Sequence, residues 1–254
     1  MTKEELNNSN VIRNIGFDES EIIKNILDLH ANGSDTFDAD FTASKLNFYK
    51  KRKGWKYKIP TPQYLYDVFP LSDDIVKIEP FHKIPVENKK FDSICIDLPF
   101  VVSPKTCKSM LDGSKSSITA KRFASWYPAK EGYYNMYWWL KEAERTLRNG
   151  GIIAYKMQNT ISGGLELAFI PYAIICAESL GLYFVDEFVL EAKHRLISAG
   201  KIKKQKHARK YTATWLVFKK DEKKADKTNI LNILDEVRAK DNDGELEGME
   251  FETK

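Results

Sequence analysis

Cysteine is scarce in this chain of 254 residues: Cys95, Cys107 and Cys176 are an odd set with no CxxC spacing. That excludes a disulfide framework and a tetrahedral thiolate metal site, and it fits a reducing compartment. The N-terminus, MTKEELNNSN, lacks an apolar stretch behind a basic start, and no run approaches the length that crosses a bilayer. The expectation is therefore a cytoplasmic chain with no membrane segment. Charge is not strongly one-sided, because a net +4 gives little overall attraction to phosphate, so the positions of the basic residues matter more than their number. No internal repeat is visible, and His194 and His207 do not make a metal pair. What is present, 43% hydrophobic and 30% charged residues, is a globular composition sufficient for one substantial α/β domain.

Periodicity divides the chain into a polar segment (1–19), a main domain (20–220) and a charged tail (221–254) with one short amphipathic stretch, TNILNILDEVRAK. EIIKNILDLH (21–30) has helical spacing, with Ser20 as its N-cap and Ala31-Asn32-Gly33 as its stop. TFDADFT, YLYDVF (64–69), DIVKIEP (74–80) and FDSICIDLPF (91–100) read as short strands between turn residues. A helix from Tyr133 to Arg148 ends at Asn149-Gly150-Gly151 and leads into a buried strand, GIIAYKMQ. LELAFIPYAIICAESLGL (165–182) predicts a helix with Pro171 near its start, and YFVDEFVLEAKH (183–194) and YTATWLVFKK (211–220) predict two long strands. Alternating helices and strands that finish on a long hairpin predict a mostly parallel sheet with an antiparallel last pair.

Asp97-Leu98-Pro99-Phe100 closes the apolar strand FDSICIDLPF. Open α/β sheets bind ligands at the carboxyl ends of their strands, and here an acid, a rigid turn and an aromatic ring stand together at such an end. A simple Asp-x-Pro turn is the alternative. On these residues the chain resembles the amino-methylating DNA methyltransferases, whose fourth strand ends in an acidic or amide residue, two prolines and an aromatic. Leu98 stands for the first proline. A wider resemblance to methyltransferase-like proteins of phages and prophages spans most of 20–220, through FDADFTASKLNFYK, KRFASWY, LRNGGIIAYKMQ and KHARKYTATWLVFKK.

The resemblance implies a three-layer α/β/α Rossmann-like class I methyltransferase fold, a mostly parallel seven-stranded sheet with an antiparallel last strand. It implies S-adenosylmethionine as cofactor and the exocyclic amino group of a DNA base, N6 of adenine or N4 of cytosine, as acceptor. Asp97 and the Leu98 carbonyl would hold the amino hydrogens, while Pro99 shapes the loop and Phe100 stacks on a base swung out of its helix. Cofactor positions would be Asp38 or Asp40 at the first strand, Asp67 at the second and Glu79 at the third, although FDADFTAS carries no GxG. Two other functions stay open, a catalytically inactive nucleic-acid-binding protein on this scaffold and an RNA methyltransferase.

Three basic segments point to a nucleic-acid partner. KHRLISAGKIKKQKHARK (193–210) carries eight Lys or Arg residues and no acid, with Lys203, Lys204, Lys206 and Arg209 as phosphate ligands. The loop 101–130 adds Lys121 and Arg122 beside the DLPF turn. LNFYKKRKGWKYKIPTP (46–62) interleaves aromatics with lysines, which suits stacking on bases or, equally, a solvated loop with anchoring rings. Tyr133, Tyr134, Tyr137, Trp138 and Trp139 read as the core face of a helix, and the tail as a site for a protein partner.

Overall fold

Apolar runs bounded by turn residues become short strands, and the amphipathic runs between them become helices. A computed structural model describes residues 11–50, 52–102, 125–192, 207–208, 210–221, 224–225 and 229–242. In chain order the elements are β1 (Ile15–Gly16), α1 (Glu19–His30), β2 (Ala39–Asp40), β3 (Tyr64–Asp67), β4 (Val76–Lys77), β5 (Phe91–Asp97), α2 (Ala129–Thr146), β6 (Leu147–Met157), β7 (Thr160–Ser162), β8 (Leu165–Leu167), α3 (Phe169–Ser179), β9 (Leu182–Glu191), β10 (Thr212–Lys220) and α4 (Ile230–Asn242).

The main sheet has eight strands in the order β1-β9-β10-β6-β5-β2-β3-β4, and β7-β8 form a separate hairpin. From β4 to β6 every pairing is parallel, whereas β10 runs antiparallel to both β6 and β9. This is the mixed α/β, Rossmann-like arrangement expected from the sequence, with one strand more. The addition is β1, two residues with no hydrophobic run to announce them, which pair in parallel with Val189 and Leu190 of β9.

Strand pleating separates two cores, because successive side chains leave a strand on opposite faces. Ile94, Ile96, Ile153, Tyr155, Leu216 and Phe218 pack against α2 and α3 on one face. Cys95, Ile152, Ala154, Trp215 and Val217 pack against Ile22, Ile23, Ile26 and Leu27 of α1 on the other. Three layers result.

Several boundaries differ from the sequence expectation for local reasons. Asp18, not Ser20, caps α1: its Oδ1 accepts from the Ser20 N–H at 2.9 Å, while the Ser20 hydroxyl is buried and accepts from the Tyr57 N–H at 3.1 Å. Helix α2 starts at Ala129 and ends before Leu147, whose extended backbone begins β6 directly. Gly150 therefore does not stop the helix. It lies within β6 at φ +82, beside a register shift against β5. The segment 165–182 divides, since Leu165–Leu167 pair with β7 and the helix begins at Phe169 with Pro171 in its first turn. Asn159 Oδ1 accepts the Ile170 N–H at 2.8 Å and so satisfies that helix start.

The aromatic run on α2 also divides. Trp138 and Trp139 are buried, but Tyr134 and Tyr137 are 54% and 41% exposed. Adjacent residues on a helix cannot all share one face. Among the described residues no helix is long and apolar enough to cross a membrane.

Candidate functional site

Four ionisable side chains stand at the carboxyl ends of neighbouring parallel strands: Asp40 on β2, Asp67 on β3, Asp97 on β5 and Lys156 on β6. All four line one cavity of about 510 Å³, together with Glu19 from the first turn of α1. Parallel strands bring these groups together because all their carboxyl ends lie at one edge of the sheet.

Asp97 follows the buried Ile94, Cys95 and Ile96, so its place at the end of an apolar run carries it to the cavity wall. Its N–H donates to Thr42 Oγ1 at 2.7 Å, which ties β5 to the loop after β2. The Lys156 ammonium lies 3.6 Å from Asp97 Oδ2 and 2.6 Å from Glu19 Oε1. Burial pushes the Asp97 carboxyl up to about 6, against the opposing pull of Lys156 and with a further push from the Glu19 charge. Burial also works against charge on Lys156, but the neighbouring Asp97 and Glu19 outweigh it and hold the ammonium above its ordinary value. The site carries an ionised lysine between two carboxyl groups.

Leu98, Pro99 and Phe100 continue the cavity wall. Leu98 is 2% exposed, and its side chain packs in the core. The indole N–H of Trp126 donates to the Pro99 carbonyl, and the Trp126 backbone N–H donates to the Val101 carbonyl at 2.9 Å. The turn is therefore braced from across the cavity by a ring that itself lines it.

Asp67 has the chemistry to hold a diol. Its two oxygens accept the Ser44 and Phe69 N–H groups at 2.8 and 2.6 Å, and a carboxylate has about four acceptor positions, so roughly half remain. Val68, Phe69, Leu71 and Pro80 give an apolar wall beside it, suited to the face of a purine. Burial raises the Asp67 carboxyl, opposed by those two backbone hydrogen bonds.

Asp40 also lines the cavity, but its oxygens are largely engaged within the protein. Oδ1 accepts from the Thr42 N–H at 2.8 Å and the Thr42 hydroxyl at 3.2 Å, and Oδ2 accepts from the Tyr49 hydroxyl at 2.8 Å. Its burial pushes the carboxyl up to about 7. The turn just after β2, residues 41–47, has no glycine, yet Ser44 and Leu46 take φ +42 and +56, the left-handed region where glycine is the usual residue.

Asp38 and Glu79 do not join the cavity. Asp38 Oδ2 instead accepts the Asp92 and Ser93 N–H groups at 2.6 and 3.2 Å and clamps the start of β5. Glu79 is exposed and pairs with Lys77 at 2.9 Å; β4 is so short that the chain has already turned, and Pro80 meets the cavity in its place. In the 46–62 segment Phe48 and Tyr49 are core residues, and Arg52 stacks over Trp55 at 4.9 Å, which makes the rings anchors more than an open platform. Lys121, Arg122, Lys203, Lys204, Lys206 and Arg209 lie outside the described residues.

Sequence reasoning alone misses Glu19, Lys156, Tyr49 and Trp126 as residues of this site. Of these, Lys156 does carry a signal: a lysine inside the buried run GIIAYKMQ requires a charged partner.

No protein-family model matches the chain, and no curated protein matches it. Among solved structures, it is similar to a presumed methyltransferase from Thermoplasma acidophilum, at 10% identity and TM-score 0.34, over 82% of this chain and 66% of that one. This chain thus spans just under two thirds of that protein. It is also similar to a chain of the complex between the Haloferax volcanii Trm112 methyltransferase activator and the presumed methyltransferase, at 14% identity and TM-score 0.39, over 82% of this chain and 98% of that one.

Proposed function

We propose that the protein is an S-adenosylmethionine-dependent methyltransferase acting on an exocyclic amino group of a nucleic-acid base, with DNA as the first substrate to test. One observation carries the reading: Asp67 and the Asp97–Phe100 turn, at the ends of β3 and β5, open into the same cavity of about 510 Å³. The cavity residues suit the cofactor, since Asp67 retains acceptor capacity for ribose hydroxyls and Val68, Phe69, Leu71 and Pro80 offer an apolar wall for adenine. When bound, the cofactor supplies an electrophilic methyl group.

The chain's own contribution is orientation and charge. An exocyclic amino nitrogen is a weak nucleophile because its lone pair is delocalised into the ring. Acceptors that take its two hydrogens, the Asp97 carboxylate and the Leu98 carbonyl, draw that lone pair back onto nitrogen. Phe100 gives the base a face to stack on, and Trp126 holds the Pro99 carbonyl so that the turn keeps its shape. The proton released on methylation has an acceptor in the Asp97 carboxyl, held up to about 6.

The nucleic-acid substrate rests on composition and placement. The lysine-rich 193–210 segment follows β9, which runs in the same direction as β5 and β6, so β9 delivers the chain to the cavity side of the sheet. A protein partner for the tail is supported by α4, where Ile230, Ile233, Leu234 and Val237 are all exposed at helical spacing. A second reading, nucleic-acid binding without catalysis, is favoured by the absence of an acid facing the cavity among the described residues at the end of β4. Calorimetric titration with S-adenosylmethionine, followed by incubation of methyl-labelled cofactor with duplex DNA, single-stranded DNA and RNA, separates these readings. Cofactor binding with label on a base amino group supports the proposal; no binding and no label leaves the binding protein.

A further inference from the structure

Lys156 is the least expected group in the cavity, because it is a cation on a strand that otherwise buries apolar side chains in both cores. Its position is over-determined. The ammonium contacts Glu19 at 2.6 Å and Asp97 at 3.6 Å, and it sits over the rings of Phe48 at 5.1 Å and Trp215 at 5.7 Å. Its side chain is only 11% exposed, and that of Glu19 12%. Two ring faces and two carboxyl groups leave the ammonium little freedom to move.

We propose that Lys156 is the positioning residue of this site, and that Glu19 and Lys156 together set the charge and place of the Asp97 carboxylate. The inference deepens the methyltransferase reading and rests on it for its meaning, but the electrostatic arrangement is testable separately. Lys156 engages one Asp97 oxygen and leaves acceptor positions on the carboxylate for the cavity. Glu19 acts in the opposite sense, since it holds the ammonium and adds a like charge near Asp97. It stands in the first turn of α1, where the helix dipole favours a carboxylate. Activity at β5 is thereby tied to the N-terminal helix packed on one face of the sheet.

The other titratable groups that face Asp97 do not replace this pair. Asp40 on β2 and Cys95 on β5 are buried neighbours with no positive charge to offer, and Asp40 is satisfied by Thr42 and Tyr49. Lys45, Arg52 and Asp67 reach the cavity from loops and from β3, but Lys156 is the cation paired with Asp97 among the described residues.

The test is a carboxyl-carbon NMR titration of Asp97, assigned with Asp97→Asn, in the wild type, Lys156→Gln, Lys156→Arg and Glu19→Gln. Lys156→Gln is expected to raise the Asp97 midpoint by about one unit or more, because burial is then unopposed and the Glu19 charge remains. Glu19→Gln is expected to lower it, and Lys156→Arg to keep it near the wild-type value. A merely structural role does not predict shifts of opposite sign. Should Lys156→Gln fail to fold, the Glu19→Gln arm decides alone. Midpoints that stay fixed, or that move in the same direction in both neutralised variants, overturn the proposal. If the titration behaves as expected while the wild type transfers no methyl group, the failure belongs to the methyltransferase reading and not to the charge arrangement.

Discussion

Gly132→Ala tests whether the brace across the cavity positions the Asp97–Phe100 turn. Gly132 lies near the start of α2, where a Cβ would come 2.8 Å from Trp126 Cδ1, 3.1 Å from Cγ and 3.3 Å from Phe169 Cζ. Neither ring is a flexible tip: Trp126 is 6% exposed and Phe169 is fully buried. Overpacking of this kind costs about 1–3 kcal/mol, while alanine gains about 1 kcal/mol over glycine in a helix, so net destabilisation of about 0–2 kcal/mol is expected. The larger consequence lies at the site, because Trp126 can relieve the contact only by shifting the ring that holds the Pro99 carbonyl. Misplacement by a fraction of an ångström is expected to lower single-turnover methyl transfer about tenfold or more. Urea unfolding gives the stability and quenched-flow transfer the rate. A variant destabilised by about 1–2 kcal/mol that keeps wild-type transfer would show that the Trp126 brace is idle.

Other expectations follow from the same geometry. Asp67→Ala removes the acceptor for the Ser44 and Phe69 N–H groups and the proposed ribose contact, so cofactor affinity measured by calorimetry should fall at least about tenfold. Transfer should lose activity in acid with a midpoint near 6, where Asp97 gains its proton, and at pH 5 should stand about tenfold below its plateau. Stability should follow the opposite sign for the buried Asp40: its folded value of about 7 exceeds the unfolded 3.8, so its contribution is full below the unfolded value and is lost as pH rises toward 7. Acid loss of transfer in a protein that stays folded would therefore separate the two carboxyls. Neutralising Lys203, Lys204 and Lys206 should weaken DNA binding alike for all sequences and reduce the salt slope by about 0.9 for each phosphate that is no longer neutralised; an unchanged slope would return the segment to a solvated charge run.

The sheet was legible in the sequence wherever a strand had a full apolar run. β5, β6, β9 and β10 fall within a few residues of expectation because their runs are long and largely buried, and the order of strands and helices then determines the sheet. The two-residue strands were legible only in part: β2 and β4 lie inside the expected segments TFDADFT and DIVKIEP but take up two residues of each, and β1 was not foreseen, since such short strands are defined by hydrogen bonds to neighbours and not by their own side chains. That difference carries into the site. Asp97 and Asp67 were legible because each ends a recognisable strand, whereas the end of β4 could not be placed closely enough to see that Pro80, not Glu79, meets the cavity. Asp38 and Asp40 lie two residues apart and share strand parity, so only the position of the strand end separates a clamp on β5 from a cavity residue. Glu19 reaches the cavity from a helix remote in sequence from β5 and β6, and nothing local marks it.

The central claim is that Asp97 holds the amino group that receives the methyl. The direct measurement is transfer from methyl-labelled S-adenosylmethionine to DNA by the wild type and by Asp97→Ala, with the product digested to nucleosides and the methylated base identified. Label is predicted on N6 of adenine or N4 of cytosine with the wild type, and Asp97→Ala should lose at least about ten- to a hundredfold in transfer with cofactor binding retained. Full transfer by Asp97→Ala, or label at a ring carbon or a ribose hydroxyl, would contradict it.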